Sequence, residues 1–243
     1  MESQLPAVRK KILIASTNAD LAGAPIHVLT LVTALQTSFD FFVVLGEEGP
    51  VRQALLAQGV PSVVLPTLRS SINPIRDFLC LLAFLKIVRS ERPDLLHAHS
   101  SKAGMIARMA GYLQRLPCLY TVHGWGFGEG RTALQSTLVY WVERAFSHIA
   151  GTAYLFVSNA DQQVGIDRLK IRPDRCLTVH NGMPDHGYRA KVGSSITVVM
   201  AARACHAKDH DMLLKAFEDC RTSFRLVLVG EDTDSPKFHA RVL

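Results

Sequence analysis

The sequence is poor in cysteine, and its cysteines are not arranged as pairs. No two of them have the C-x-x-C spacing of a zinc site, and their odd number and wide separation do not suggest a disulfide framework. The five are Cys80, Cys118, Cys176, Cys205 and Cys220. Reduced thiols are therefore expected, which favours a cytosolic compartment over a secreted one.

Long hydrophobic runs are also missing. The longest apolar stretch, residues 78–88, is interrupted by Lys86 and is much shorter than the roughly 20 residues of a membrane-spanning helix. Residues 1–11 lack the apolar stretch of a secretory signal peptide. We therefore expect a cytoplasmic protein that is attached at most peripherally to the inner face of a membrane.

Several common site motifs are absent. Without G-x-G-x-x-G there is no fingerprint of a dinucleotide-dependent dehydrogenase, and without G-x-S-x-G there is no nucleophile elbow of a serine hydrolase. His97 and His99 have no neighbouring Cys, Asp or Glu that would complete a metal site. Two D-x-D strings, residues 209–211 and 232–234, lie at a helix start and in a polar turn, so we interpret both as structural and expect no metal cofactor.

The composition is that of an ordinary globular protein with ample material for a core. Hydrophobic residues make up 48% of the chain and charged residues 20%, with a formal net charge of +6. A moderately basic protein suits an anionic substrate, a nucleotide or an anionic membrane surface, and the charge does not select among them. We expect no nucleic-acid partner.

Short apolar runs alternate with helical patterns along the chain, which predicts an α/β fold with a mostly parallel, Rossmann-like sheet. Residues 1–183 form the first predicted domain, and the polar, Gly- and Ser-containing residues 184–195 a linker. Residues 196–243 begin a second Rossmann-like domain with a buried strand at 197–202, one helix and one further strand. Such a domain usually needs on the order of 100 residues, so we expect this one to be incomplete.

One long helix is predicted to begin at Asn73-Pro74, because proline is favoured at the first helical position. Its apolar face is expected to run through Phe78, Leu82, Leu85 and Val88. The same helix carries three cations, Arg76, Lys86 and Arg89. Contact with an anionic membrane surface is one interpretation of this pattern, and a buried helix with solvated cations is the other.

In a parallel α/β sheet ligands bind outside the carboxyl ends of the strands, so the residues after each strand are the candidates for a site. His123 follows the fifth predicted strand and opens a glycine-rich loop, where its ring can donate to a hydroxyl or carbonyl or tune proton transfer. A structural histidine that bonds the backbone is the alternative. His99 is expected to face the cleft, while His97 packs at the strand end. Gly23 lies in the first such loop and allows close approach of a ligand.

Two cations, Arg203 and Lys208, stand between the strand at 197–202 and a helix that Asp209 is expected to cap. Cations at the carboxyl end of a strand and beside a helix N-terminus favour a phosphorylated ligand. Two solvated cations on a surface loop are the alternative.

Taken in order, several segments resemble the nucleotide-sugar glycosyltransferases of the GT-B fold, specifically the large retaining family 4 (group 1). Residues 21–35 are similar to the first loop and helix of that family, and residues 92–104 and 119–127 to its fourth and fifth strand ends. Residues 198–217 with 226–232 resemble the opening of its donor-binding domain. Residues 156–163 and 179–183 support the likeness, which covers nearly the whole chain.

The resemblance implies transfer of a sugar from a nucleoside-diphosphate donor to a glycan or lipid-linked acceptor, with retained anomeric configuration. Arg203 and Lys208 would bind the donor diphosphate and stabilise the leaving group without a metal ion. His123 would face the transferred sugar, Gly23 would lie near the acceptor and the donor phosphates, and Asn181 would lie in the cleft near the interdomain hinge.

Some positions depart from the family pattern. Ala22 and Ala202 stand where glycine is common, and Glu231-Asp232 replace an Asp-Gly pair. Two glutamates, eight positions apart in the family, would lie beyond Leu243, so we expect little or no turnover from these 243 residues. An epimerase of nucleotide sugars with the same architecture, or a non-catalytic binding partner, remain alternatives.

Overall fold

The computed structural model describes residues 9–127, 132–183, 185, 187, 196–204, 208–218, 220, 224–230 and 232–234. The chain divides into two compact units. The first holds the described residues through Phe127 together with Ala133–Met183, and the second holds Thr132 and the described residues after Met183. Gly128 and Gly130, two of the glycines that follow His123, lie outside the described residues.

The first unit is built on one sheet of seven parallel strands in the order β3-β2-β1-β4-β5-β6-β7. The strands are β1 Lys10–Ser16, β2 Phe39–Leu45, β3 Ser62–Val64, β4 Leu95–His99, β5 Cys118–Val122, β6 Thr152–Phe156 and β7 Cys176–Thr178. The helices are α1 Gly23–Leu35, α2 Pro50–Ala57, α3 Pro74–Glu91, α4 Ser101–Gln114, α5 Ala133–Phe146 and α6 Asn159–Asp167, with a 3₁₀ turn at Pro173–Arg175. The predicted α/β, mostly parallel fold is confirmed.

The order of the strands creates a switch point between β1 and β4. The chain runs outward from β1 to β3 and then returns to pair β4 with the other side of β1. Loops leaving neighbouring strands in opposite directions open a crevice at the carboxyl edge, which is where α/β sheets bind ligands.

Alternation along the strands divides the core into two layers, because successive side chains point to opposite faces of a sheet. In β1, Ile12 and Ile14 pack on one face with Val28 and Val32 of α1. Leu13 and Ala15 pack on the other face, in a cluster that includes residues of α3, α4 and α5. Both faces are covered, so the strands are near-continuous apolar runs.

The long helix α3 begins where the sequence predicts. The side chain of Asn73 accepts a hydrogen bond from the backbone N–H of Arg76 at 3.0 Å, and Pro74 occupies the first helical position. The helix ends at Glu91 and is capped by Arg92, which adopts a left-handed conformation. No helix in the described part of the chain combines the length and apolarity that crossing a membrane requires.

The predicted apolar face of α3 is partly wrong. Leu85 and Val88 are buried, but Phe78 and Leu82 are 60% and 42% exposed. The remaining buried residues of the helix are Cys80 and Phe84. Residues 78–88 are apolar almost all around the helix, so periodicity alone does not choose a face, and packing on the sheet selects one turned away from Phe78.

The described residues of the second unit form one βαβ motif. Its parallel strands are β8 Ile196–Ala201 and β9 Phe224–Val229, and its helix is α7 His210–Glu218. The rings of Phe217 and Phe224 lie 4.2 Å apart and join helix to strand. The expectation of a buried strand is wrong here, since every residue of β8 is exposed or half-buried. One helix does not cover both faces of a two-stranded sheet.

Candidate functional site

Four histidine rings meet at the carboxyl edge of the first unit's sheet. We call them the histidine cluster: His27 of α1, His97 and His99 of β4, and His123 directly after β5. Ring centroids of neighbouring members lie between 4.3 and 5.4 Å apart. The cluster lies at the switch point between β1 and β4.

Strand register explains how these side chains come together. Leu95, His97 and His99 alternate with Leu96 and Ala98, so both histidines point to the face that α1 covers. His99 pairs with Thr121 of β5, which places His123 one step beyond on the same face. His27 lies one turn into α1, over this edge.

Hydrogen bonds link the cluster to the sheet. Nε2 of His97 lies 2.8 Å from Oγ1 of Thr121, and both groups are buried. Nδ1 of His99 lies 3.0 Å from Nε2 of His123. The ring of His27 stands edge-on to that of His123, with centroids 5.0 Å apart.

Burial keeps the cluster uncharged. Removal from water lowers the pKa of His97 to about 3, and the smaller contribution is repulsion from His27 and His123 in their protonated forms. Burial also lowers the pKa of His99 well below its ordinary range, and together with nearby His27 it lowers the pKa of His123 to about 4. At neutral pH these rings are therefore neutral, and each carries one N–H and one bare nitrogen.

His99 differs from its expected position. The sequence suggests a loop residue facing the cleft, whereas His99 is the last residue of β4 and is fully buried. The strand runs two residues further than expected because His99 still pairs with Thr121. His97 packs inside the edge of the sheet, in line with its expected structural role.

Asn181 and Gly23 also lie at this edge. The side chain of Asn181 hydrogen-bonds His27, which raises the pKa of that ring against the larger lowering effect of burial. Gly23 opens α1 and is exposed, and a Cβ built on it would meet no atom within 4 Å. The first turn of α1 is therefore open above Gly23.

Sequence reasoning missed His27 and the pair Thr17 and Ser100. Oγ1 of Thr17 lies 3.1 Å from Oγ of Ser100, which links the loop after β1 to the start of α4. Ser100 has φ of 75°, an uncommon backbone conformation for a residue with a side chain. The signal for His27 is its spacing of four from Gly23, which places both on one side of α1.

Arg203 and Lys208 belong to the second unit. Arg203 follows the end of β8 and Lys208 lies two residues before α7, and both are exposed. Residues 205–207, between them, lie outside the described residues. A Cβ on Gly230 would lie 2.1 Å from the carbonyl oxygen of Ala202, so the ends of β8 and β9 approach too closely for any other residue.

One aspartate of each D-x-D string, Asp209 and Asp232, lies at a helix start or in a turn. Oδ1 of Asp209 accepts a hydrogen bond from the N–H of Met212 at 3.2 Å, which confirms the predicted cap of α7. Asp232 lies in a turn closed by the N–H of Thr233 on the carbonyl of Gly230 at 3.3 Å. Within the described residues, no group of three or more His, Cys, Asp or Glu side chains is placed to hold a metal ion.

Comparison with known proteins identifies similar sequences. The model of the family described as Glycosyltransferase Family 4 matches residues 21–186. An Escherichia coli UDP-Gal:alpha-D-GlcNAc-diphosphoundecaprenol alpha-1,3-galactosyltransferase is 27% identical over 181 residues, which cover 69% of this chain and 46% of that protein. The O-antigen biosynthesis glycosyltransferase WbnH of Escherichia coli is 24% identical over 221 residues, which cover 91% of this chain and 63% of that protein.

Comparison of structures identifies the same architecture. The crystal structure of Anabaena HepE in complex with UDP and glucose superposes with a TM-score of 0.74 at 17% identity, covering 96% of this chain and 66% of that one. The chain thus spans between about half and two thirds of the length of these relatives.

Proposed function

Since the chain belongs to Glycosyltransferase Family 4, we propose that it acts in the transfer of a sugar from a nucleoside-diphosphate donor to a glycan or lipid-linked acceptor, with retained configuration. The observation that carries this proposal is the position of the histidine cluster. A half-buried, uncharged His123 stands at the switch point of a parallel sheet, beside the open first turn of α1.

A neutral histidine suits the contact with a sugar. Sugar hydroxyls bind through directed hydrogen bonds, and a single N–H at the edge of a pocket can orient one hydroxyl without placing a charge beside it. Asn181 supports this arrangement, because its bond to His27 holds one wall of the cluster. Gly23 leaves room for phosphate or sugar to approach the start of α1, and the first N–H groups of a helix generally have no partner within the helix.

Arg203 and Lys208 are proposed to bind the donor diphosphate. Fixed cations near the ends of two parallel strands can neutralise the charge that develops on a leaving diphosphate, so this step needs no divalent metal. UDP is the first nucleotide to test, because the galactosyltransferase is named for UDP-Gal and HepE was crystallised with UDP.

A lipid-linked acceptor would require the enzyme to work at a membrane surface, and α3 offers a face for it. We call the exposed side of α3 the α3 face; its apolar members are 42–76% exposed. They are Ile75, Phe78, Leu79 and Leu82. Their spacing of three and four places them on one side of the helix, and the exposed cations Lys86 and Arg89 continue along it.

The charge of the α3 face favours anionic lipid. Both acidic residues of α3 are already paired, Asp77 with Lys102 at 2.5 Å and Glu91 with Lys11 at 2.6 Å. Within the described residues neither Lys86 nor Arg89 has an acidic partner on this surface. A helix with an exposed apolar stripe and unneutralised cations binds an interface that is apolar inside and negative outside. The relative named for a diphosphoundecaprenol acceptor supports this proposal.

Calorimetry with UDP tests the donor site. We expect UDP to bind the full 243-residue chain and Lys208→Ala to weaken that binding. Lys215→Ala is the matched control, because it removes one exposed cation from the same unit at a position inside α7. Equal affinity of both variants for UDP would contradict the role of Lys208.

The same preparation distinguishes the alternatives. Conversion of UDP-sugar without any acceptor would identify an epimerase, and a complete lack of UDP affinity would support a non-catalytic binding partner. Transfer of labelled sugar to a diphosphate-linked lipid would support the proposed reaction.

A further inference from the structure

The bond between His99 and His123 has a definite direction. We propose that His99 is a positioning residue, which donates its Nδ1–H to Nε2 of His123 and thereby fixes His123 in the tautomer that carries its proton on Nδ1. The role for the reaction rests on the proposed function, whereas the direction of the bond does not.

The first step concerns His99 alone. Its side chain is fully buried, and its Nε2 has no hydrogen-bond partner within the described residues. A neutral ring carries one proton. On Nε2 that proton would be a buried donor without an acceptor, which is among the rarest situations in folded proteins, whereas a bare nitrogen lone pair is more readily tolerated. The proton of His99 therefore lies on Nδ1.

The second step follows from the 3.0 Å separation between Nδ1 of His99 and Nε2 of His123. Since His99 donates, Nε2 of His123 must accept and carries no proton. The planes of the two rings are inclined by only 31°, which permits a bond close to the lone pair of the acceptor. The proton of the neutral His123 ring lies on Nδ1.

The consequence is a division of labour within His123. Its Nε2 is occupied and does not take up a proton from a substrate, so this nitrogen does not act as a general base. Its Nδ1 has no hydrogen-bond partner among the residues that the structure describes. His123 therefore meets a sugar hydroxyl or phosphate oxygen as a hydrogen-bond donor through Nδ1, with its orientation set by a buried neighbour.

His97 does not serve the same purpose. Its Nε2 is engaged by Thr121 at 2.8 Å, and its ring lies tilted against that of His99 with centroids 4.3 Å apart. It is equally buried and equally close to the edge of the sheet, but no hydrogen bond joins it to His123 within the described residues. His97 is therefore a control for the loss of a buried histidine.

The tautomers are measured directly by long-range ¹H–¹⁵N correlation spectra of the full chain labelled with ¹⁵N-histidine at neutral pH, without any substrate. We expect the Nδ1–H pattern for both His99 and His123. An Nε2–H pattern for His123 would overturn the proposal.

Three substitutions test the cause. His99→Asn places an amide N–H near the position of Nδ1 and should retain the Nδ1–H pattern of His123. His99→Phe keeps an aromatic ring without a donor and should release Nε2 of His123, which would then show Nε2–H. His97→Phe should leave the pattern of His123 unchanged. An unchanged pattern in His99→Phe would overturn the proposal, and the wild-type spectrum decides the direction of the bond if that variant does not fold.

Binding of UDP-sugar to the same chain provides a separate readout, in which the affinity should fall in the order wild type, His99→Asn, His99→Phe. A chain that shows the Nδ1–H pattern but no nucleotide binding would refute the proposed function and leave the assignment of the bond intact.

Discussion

Arg108 of α4 and Glu143 of α5 form a buried ion pair, with Nη2 and Oε2 2.7 Å apart and side-chain exposures of 0% and 3%. The guanidinium also donates to the carbonyl of Gly104 at 2.9 Å and to the hydroxyl of Tyr154 at 3.3 Å, and it stacks on Tyr120 at 4.7 Å. The pair joins the two helices that follow β4 and β5. It therefore supports the edge of the sheet where His99 ends β4 and His123 follows β5.

Removal of one partner should lower the stability by much more than the pair itself contributes to it, because the remaining charge would be buried without a partner. We expect Arg108→Met to lower the free energy of unfolding by about 3–5 kcal/mol. Urea unfolding followed by tryptophan fluorescence measures this in the first unit, which contains both tryptophans, Trp125 and Trp141. The control is Arg172→Met, whose ion pair with Asp174 is largely exposed and contributes little. Equal losses in both variants would contradict this account.

Strand positions in the first unit could be predicted because apolar runs bounded by turn residues have few alternatives in a parallel sheet. The face of α3 could not. Residues such as Phe78 and Phe84 are equally hydrophobic, and only packing against the sheet decides which one is buried. Helical periodicity is informative where polar residues break the pattern, and residues 78–88 contain almost none.

Some residues of the candidate site could be chosen from the sequence, but His27 and the arrangement of the site could not. His123, Asn181 and Gly23 follow strands or loops and could be chosen from the sequence, while the contact of Asn181 with His27 depends on how α1 lies over the sheet. The burial of His99 depends on two further residues of strand pairing, a length that the sequence pattern does not fix. Roles for Arg203 and Lys208 remain predictions that the binding experiment addresses.

Gly23 and Gly104 should respond oppositely to alanine. A Cβ on Gly23 meets open space, so Gly23→Ala should leave stability unchanged or raise it by about 0.4–1 kcal/mol. A Cβ on Gly104 would lie 2.6 Å from the ring of Tyr120, so Gly104→Ala should destabilise the first unit by about 1–3 kcal/mol.

The same pair separates ligand contact from folding. If a donor or acceptor phosphate approaches the backbone at Gly23, UDP-sugar affinity should fall in Gly23→Ala although stability does not. Isothermal titration beside urea unfolding measures both quantities. Full UDP-sugar affinity in a well-folded Gly23→Ala chain would remove Gly23 from the site.

Stability should depend on pH through the histidine cluster. His97 has a pKa of about 3 in the folded chain against an ordinary 6.5, and His123 a pKa of about 4. Between pH 6.5 and the lower pKa of each folded histidine, the unfolded chain binds protons that the folded chain does not. The free energy of unfolding therefore decreases as the pH falls from 6.5. Each such histidine adds up to about 1.4 kcal/mol per pH unit to the slope, and above pH 6.5 its contribution is constant.

Urea unfolding of the wild-type chain at a series of pH values measures that slope, and His97→Asn should reduce it. Substitution of the exposed His148 by glutamine is the control and should leave the slope unchanged. A slope that is the same in all three proteins would show that the buried rings do not control acid stability. Thr121→Val leaves His97 without its hydrogen-bond partner. We expect this variant to lose stability at low pH, as the wild-type chain does.

The α3 face should bind anionic vesicles. The charge variant, Lys86→Gln combined with Arg89→Gln, removes both cations and should weaken vesicle binding by about 1 kcal/mol for each residue near the surface. Leu79→Ser should weaken it by removing apolar contact. Co-sedimentation with vesicles that contain an anionic phospholipid, compared with purely zwitterionic vesicles, measures both effects.

Leu138→Ser on α5 is the matched control for Leu79→Ser, because the two leucines are 48% and 51% exposed on different helices. A general stickiness of exposed leucines would make both variants lose the same amount of binding. Docking through α3 instead requires that only Leu79→Ser and the charge variant lose binding to the vesicles. Added salt should also weaken vesicle binding of the wild-type chain more than that of the charge variant. Binding that is indifferent to lipid charge would contradict the role of Lys86 and Arg89, since their attraction depends on the negative surface.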